Sequence, residues 1–482
     1  MNRYKVLAHR YGLVALTNVF VGLSSIVLIP ILTKTIPAVD YGTWVLLNVT
    51  IGLVPNLITL GLPFAMVRFL AASKQISDIR EVFYSIGGVI LFTAGVVAML
   101  IFFVPEPLAY SLYNGNIAVT KTLGIIIFLS ALNLHLFNYF RTFQQIKIFS
   151  IFTVAQTALT LGLVTFFVLS GFGIVGASIG LLITQALLFI FMGIIIFSNL
   201  GFSVPKMAHI REYLAFSLPT IPSNFSGWIV ESSDRYLIGI FLGSAFVAYY
   251  SPGYSLGNAI ALLISPLILL LPATLSAYYD EGGLAEVKII LKYSLKYFLA
   301  LAVPATVALS LLSRPLLLIL STPEIASQGY LITLFSSTSA VLYGAYGIII
   351  QPMILSKETP IIGKIWVLAA VFNFCLNLVL IPKVGLLGAG ITTLLAYFTA
   401  FVITLVYSSK SVRFDYDIRF ILKCILASLV ASIVLFEWHS TTVFNILLSV
   451  GFYAIAYVAL LLLSKGFTKD ELKFFLATLR IE

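Results

Sequence analysis

Long apolar stretches separated by short polar segments run the whole length of the chain, and a membrane-spanning helix needs about 20 mostly apolar residues. That window predicts fourteen spans: 11–36, 41–67, 82–104, 121–140, 148–169, 174–198, 213–242, 247–276, 294–312, 329–350, 361–381, 385–407, 420–436 and 443–464. All are expected to be helical. An open strand leaves its backbone unsatisfied in lipid, and no alternating pattern of roughly ten-residue strands occurs. The expected fold class is an all-α polytopic membrane protein.

Composition agrees with the pattern. The 482 residues are 60% hydrophobic and 10% charged, against about 45–50% and about 25% in soluble domains. The net charge of +10 resides in the polar segments, which makes it topological and not a sign of nucleic-acid binding. With the N-terminus inside, 23 basic residues fall in cytoplasmic segments and four (Lys34, Lys121, Arg314 and Lys383) in outer loops. This split predicts a multi-pass cell-membrane protein with both termini cytoplasmic. The basic start, MNRYKVLAHR, precedes a long apolar run with no small-residue cleavage site, and reads as an uncleaved signal anchor. The longest outer loops, 105–120 and 313–328, are too short for a catalytic domain. Cys375 and Cys424 lie in apolar runs and the four histidines are scattered, so neither a disulfide framework nor a Cys/His metal cluster is expected.

The chain repeats itself. GIVGASI at 173–179 returns as GLLGAGI at 385–391, and EPLAYSLYNGNIA at 106–118 returns as RPLLLILSTPEIA at 314–326. Six spans therefore recur in the same orientation, a parallel repeat about an axis along the membrane normal. The expected organisation is an N-lobe at 1–198, a cytoplasmic linker at 199–212, a C-lobe at 213–407, two added helices at 408–464, and a cytoplasmic amphipathic tail at 465–482. Pro30 and Pro55 interrupt spans one and two, while Pro219, Pro222, Pro252, Pro266 and Pro272 interrupt seven and eight. Such breaks are tolerated where neighbours or a water-filled cavity satisfy the freed backbone, which marks the first two helices of each half as cavity walls; ordinary kinks are the alternative.

Span seven holds the single charge cluster within the predicted bilayer region: Glu231, Asp234 and Arg235, within roughly a 100° sector of one helical face. Ions at that depth are costly and point to an interior-facing functional site. A self-neutralising Glu231–Arg235 pair at i,i+4 is the alternative. Glu231 and Asp234 are candidates for coupling transport to an ion, H+ or Na+; no other cofactor and no metal is expected.

Two six-helix halves with a two-helix addition, the repeated GxxGAxI, the DYG at 40–42, and SSDRYLIGIFLG (232–243) followed by AYYSPGY together resemble the Wzx-type polysaccharide-export flippases. These belong to the multidrug/oligosaccharidyl-lipid/polysaccharide (MOP) superfamily. The resemblance covers the whole chain and implies movement of an undecaprenyl-pyrophosphate-linked oligosaccharide from the cytoplasmic to the outer leaflet by alternating access, for surface polysaccharide biosynthesis. It implies no enzymatic step, and as partners the lipid-linked oligosaccharide, membrane lipids, a polysaccharide polymerase and glycosyltransferases. A diphosphate moving inward needs cations along its route. Arg235 is the basic residue deepest in a span, Lys34 sits at a similar position along span one, and Arg68 and Arg141 at the inner ends of spans two and four are placed to receive the headgroup first. On this reading Arg235→Ala abolishes export while the protein still inserts.

A cation-coupled multidrug antiporter of the same superfamily is the second reading, and would want acidic residues to dominate the cavity. A membrane polymerase or glycosyltransferase is the third, disfavoured by the short outer loops. Two motifs mislead. GFGIVG (171–176) fits GxGxxG but sits between two spans with no acidic residue about twenty positions on. Asp415-Tyr416-Asp417 imitates a glycosyltransferase DxD, yet falls in a mixed-charge loop.

Overall fold

The computed structural model describes residues 3–70, 75–437, 442–468 and 471, and no strand occurs among them. The chain falls into two compact units: residues up to 251 with 366–392, and 252–365 with the residues from 393 onward.

In chain order the first part contains α1 (Arg3–Thr35), α2 (Ala38–Ile58), α3 (Leu62–Leu70), α4 (Ile76–Phe103), α5 (Glu106–Leu112), α6 (Ile117–Thr142), α7 (Ile146–Phe167), α8 (Gly173–Leu200), α9 (Ile210–Ser217), α10 (Ile221–Phe241) and α11 (Ser244–Asn258). It continues with α12 (Ala261–Asp280), α13 (Leu284–Leu311), α14 (Ser313–Leu320), α15 (Pro323–Gly329), α16 (Ile332–Ile349), α17 (Gln351–Leu355), α18 (Thr359–Val384), α19 (Leu386–Ser411), α20 (Ile418–Ala431), α21 (Ile433–Glu437) and α22 (Val443–Leu463). The order of elements returns: the 28-residue α4 and the short α5 are matched by the 28-residue α13 and the short α14.

Among the described residues, twelve helical stretches are long and apolar enough to cross a membrane. One, Ile146–Leu200, is 55 residues long and contains α7 and α8, joined through Gly171 (φ +87°) and Gly173 (φ +55°). Among the predicted spans only 213–242 has no counterpart, because its three charges make α10 too polar. Two other predicted spans are each broken. Span 41–67 divides into α2 and α3 at residues 59–61, while Pro55 stays inside α2; span 247–276 divides into α11 and α12 at residues 259–260. A proline removes one hydrogen bond, whereas Leu60 (φ +53°) and Gly61 (φ +69°) turn the backbone out of the helical region altogether.

The repeated glycine motif has a packing cause. Its first glycine has positive φ in both copies, +55° at Gly173 and +70° at Gly385. Its second permits close approach: a Cβ on Gly176 would sit 2.4 Å from Phe172 Cβ, and one on Gly388 would sit 2.5 Å from the Leu380 carbonyl oxygen. The DYG is similar, since a Cβ on Gly42 would fall 1.8 Å from the Ser244 carbonyl oxygen where α2 meets the start of α11.

In the second unit α20 and α22 pack on α13. Pro304 cannot donate to the carbonyl of Ala300, and Tyr457 Oη donates to that carbonyl at 2.8 Å, while Tyr453 Oη donates to the Pro304 carbonyl at 3.0 Å. The misleading DxD is structural: Asp415 pairs with Lys292 at 2.6 Å, and Asp417 Oδ1 caps α20 by accepting from Phe420 N at 3.2 Å. The Lys292 ammonium holds the Asp415 carboxyl below its ordinary range.

Most of the predicted amphipathic tail lies outside the described residues, with one informative exception. Glu471 is buried against Lys296, with Nζ to Oε1 at 2.7 Å and to Oε2 at 3.0 Å, and Thr468 and Glu471 form a reciprocal cap (Thr468 N to Oε2, 2.7 Å; Glu471 N to Thr468 Oγ1, 3.3 Å). Lys296 also lies over the rings of Phe420 and Phe467, at 4.7 and 5.6 Å. Burial pushes the Glu471 carboxyl up, but the hydrogen bonds from Lys296 and Thr468 outweigh it and hold the group below its ordinary range. A depressed native pKa contributes stability above the unfolded value that is lost as pH falls through the native one. Glu471→Gln is therefore expected to lower the melting temperature of the solubilised protein by a few degrees at pH 7. The gap to wild type should close in strongly acidic buffer, and a gap independent of pH would contradict an ionic latch.

Candidate functional site

Helix α10 begins after a 3-10 turn, Leu218–Thr220, with Pro222 in its first turn where a missing N–H costs nothing. Its charges, expected in one sector of the helical face, divide. Asp234 and Arg235 are buried, at 1% and 8% exposed, whereas Glu231 is exposed. Asp234 Oδ1 accepts from Arg235 N at 2.8 Å and from Arg235 Nη1 at 3.1 Å, and its Oδ2 accepts from Tyr250 Oη on α11. Arg235 Nη1 also donates to the Glu231 carbonyl, and the guanidinium stands 5.8 Å from the centroid of the Tyr250 ring. The expected i,i+4 geometry is thus used by the backbone carbonyl of Glu231. Next to Arg235 in sequence, Tyr236 Oη shares a hydrogen bond with Thr50 Oγ1, which also hydrogen-bonds Tyr113 Oη, each at 2.6 Å, fastening α10 to α2.

A cavity of about 880 Å³ opens elsewhere in the same unit, walled by α2, α3, α6, α9 and α10. The backbone break at 59–61 makes it possible: α3 turns away from the line of α2 and packs against α9, where Phe69 meets Tyr213 and Phe216 with ring centroids 5.0 and 5.9 Å apart. Gly61 is required there, since a Cβ would lie 2.7 Å from the Ser217 carbonyl oxygen. Arg68 in the last turn of α3 and Arg141 in the last turn of α6 both line the cavity, and both are exposed. Glu231 lines it too, so among the described residues its charged lining nets one positive charge. Asn56, Asn138 and Asn224 add amides, and Phe225 and Trp228 an aromatic wall.

Lys34 and Arg235 are not among the residues that line this cavity: Arg235 is enclosed by Asp234 and Tyr250, and Lys34 is exposed in the last turn of α1. The 21 residues of α2 alone separate Lys34 from the break before Arg68, about 30 Å at 1.5 Å per residue. Spans one and eight contribute no residue to the lining of this cavity. The residues that sequence reasoning missed are Tyr250, which lies in the AYYSPGY stretch but carried no chemical signal, and the cavity's amides and tryptophan.

The arrangement offers two guanidinium groups beside amides and aromatic surface, suited to an amphiphile with an anionic headgroup. The chain is 21% identical over 275 residues to the "Probable low-salt glycan biosynthesis flippase Agl15" of Haloferax volcanii, covering 56% of this chain and 58% of that one. It therefore spans a little over half the length of that curated relative. Its fold matches a solved structure of the lipid II flippase MurJ in an inward closed conformation, with a TM-score of 0.73 and 16% identity over 92% of this chain and 97% of that one. It also matches an inward-facing MATE-family multidrug transporter of the MOP superfamily, with a TM-score of 0.66 and 15% identity over 82% and 94% of the two chains. The model of the polysaccharide biosynthesis protein family matches residues 9–276, more than half the sequence and the whole stretch that builds the cavity, and the chain belongs to that family.

Proposed function

We propose that the protein moves a lipid-diphosphate-linked oligosaccharide from the cytoplasmic to the outer leaflet of the cell membrane, by alternating access, for surface polysaccharide biosynthesis. The observation that carries this reading is the pairing of Arg68 and Arg141 in the lining of a cavity of about 880 Å³. Guanidinium groups hold phosphate oxygens bidentately, and both sit at helix ends that the charge distribution assigns to the cytoplasmic side. The names of the relatives favour the same class of substrate. Flipping requires no covalent step. Glycosyltransferases that build the glycan and a polymerase that consumes it are the partners this role implies.

Transport is coupled to H+ or Na+ through Glu231 and Asp234, the acidic residues of α10. Glu231 faces the cavity, so Glu231→Gln is expected to alter the pH or ion dependence of transport while leaving abundance near wild type. The cation-coupled antiporter remains the second reading, favoured by that same carboxylate. Two arginines against one glutamate weigh for an anionic cargo.

The test is reconstitution of the full chain in liposomes holding an undecaprenyl-diphosphate-linked oligosaccharide, scored by protection of the glycan from an externally added glycosidase. Protein-dependent loss of protection supports flipping. Unchanged protection, together with ion-driven efflux of a hydrophobic cation, would replace this reading with the antiporter.

A further inference from the structure

We propose that the cavity reads the sugar as well as the diphosphate: Trp228 is the platform on which the pyranose ring next to the diphosphate stacks. The proposal rests on the flippase reading and goes beyond it by naming a residue that discriminates glycan from bare carrier. Trp228 and Phe225 line the cavity with their rings nearly parallel, 7° apart with centroids at 5.9 Å, and the Tyr236 ring lies 5.8 Å from the indole, tilted by 51°. Helix α2 passes beside the indole at Gly52, where a Cβ would stand 4.0 Å from Nε1.

The amides in the lining have matching chemistry. Each of the three donates Nδ2 to a carbonyl one turn back in its own helix: Asn56 to Gly52 at 2.8 Å, Asn138 to Leu134 at 2.7 Å and Asn224 to Thr220 at 2.9 Å. That bond fixes the amide orientation, and leaves on each an Oδ1 acceptor and a second N–H. Anchored groups that both accept and donate, beside an aromatic face, suit a ring with hydroxyls on its rim and C–H groups on its faces. A hydrophobic cation would use the aromatic face but has no hydroxyls for the amides. Trp228 lies seven residues into α10, about 10 Å along the axis at 1.5 Å per residue, so the sugar lies deeper than a diphosphate held at the helix ends by Arg68 and Arg141.

Binding to the full-length protein in lipid nanodiscs tests this with two probes: undecaprenyl diphosphate, and the same lipid bearing one N-acetylglucosamine. Wild type should hold the glycosylated probe roughly tenfold more tightly than the bare one. Trp228→Leu should cost the glycosylated probe about tenfold more affinity than the bare one and so abolish that difference, and Trp228→Phe should retain most of it. Arg68→Ala should weaken both probes alike. Equal loss of both probes in Trp228→Leu, or no change in either, overturns the platform. So does retained sugar discrimination accompanied by lost binding of tetraphenylphosphonium, which would make Trp228 a cation site. Failure of wild type to bind either lipid would instead refute the flippase reading itself.

Discussion

Replacing Arg68 and Arg141 together by alanine is expected to reduce glycan export at least a hundredfold, while the protein still reaches the membrane in normal amount. Both side chains are exposed at the ends of α3 and α6 and line the cavity, so their loss leaves no buried partner unsatisfied and stability should hold. Each guanidinium–phosphate contact contributes about 1.5–3 kcal/mol, and the loss of two gives roughly a hundredfold or more at 1.4 kcal/mol per tenfold. Lysine at both positions should recover only part of the activity, because an ammonium acts on phosphate as a point charge. Surface glycan measured against membrane abundance checks this. Export near wild type from the double alanine variant would detach the cavity mouth from the transport route.

Asp234→Ala is expected to fail differently, through stability. Asp234 is 1% exposed and Arg235 8%, and removing one partner of a buried ion pair strands the other at a cost of about 3–5 kcal/mol. Arg235→Ala strands Asp234 with the Tyr250 hydroxyl and the Arg235 backbone N–H as its remaining partners. This revises the expectation that Arg235→Ala inserts normally and loses only export. Both single variants should show low abundance and a lowered melting temperature, whereas Asp234→Leu combined with Arg235→Met should recover much of both, since apolar replacement of a whole buried pair is often neutral. If coupling runs through Asp234, the recovered double variant should transport without ion dependence. Single variants as abundant and as heat-resistant as wild type would remove the pair from the structural frame of α10.

The division of labour among the candidate cations was hidden from the sequence. Helical spacing placed Glu231, Asp234 and Arg235 in one sector, yet a long arginine side chain can fold back along its own helix, and here it bonds Asp234 and the Glu231 carbonyl. Nothing in the order of residues says that Tyr250, sixteen positions on, will close that network. Lys34 and Arg235 matched in position along their spans, but depth along a helix does not fix the face that a side chain occupies. Arg68 and Arg141 were legible as residues at helix ends, and the structure brings them into one cavity because α2 breaks at Leu60 and Gly61. That break was anticipated at the wrong residue: proline is the visible sign of an interrupted helix, while positive φ at a leucine shows only in the folded backbone.

What the sequence determined by itself was the all-helical membrane architecture, because about 20 apolar residues in a row have only one way to satisfy their backbone in lipid. It also determined the internal repeat, because the glycine that turns the chain and the glycine that lets helices touch have no substitute at Gly173, Gly176, Gly385 and Gly388. The tertiary structure decided which polar residues are fasteners and which face open space. Asp234, Arg235 and Glu471 are enclosed by partners from elsewhere in the chain, while Arg68, Arg141, Glu231 and Trp228 line the cavity or stand exposed at its edge. Burial depends on which helices meet, and those contacts join residues distant in sequence, so no window along the chain contains them.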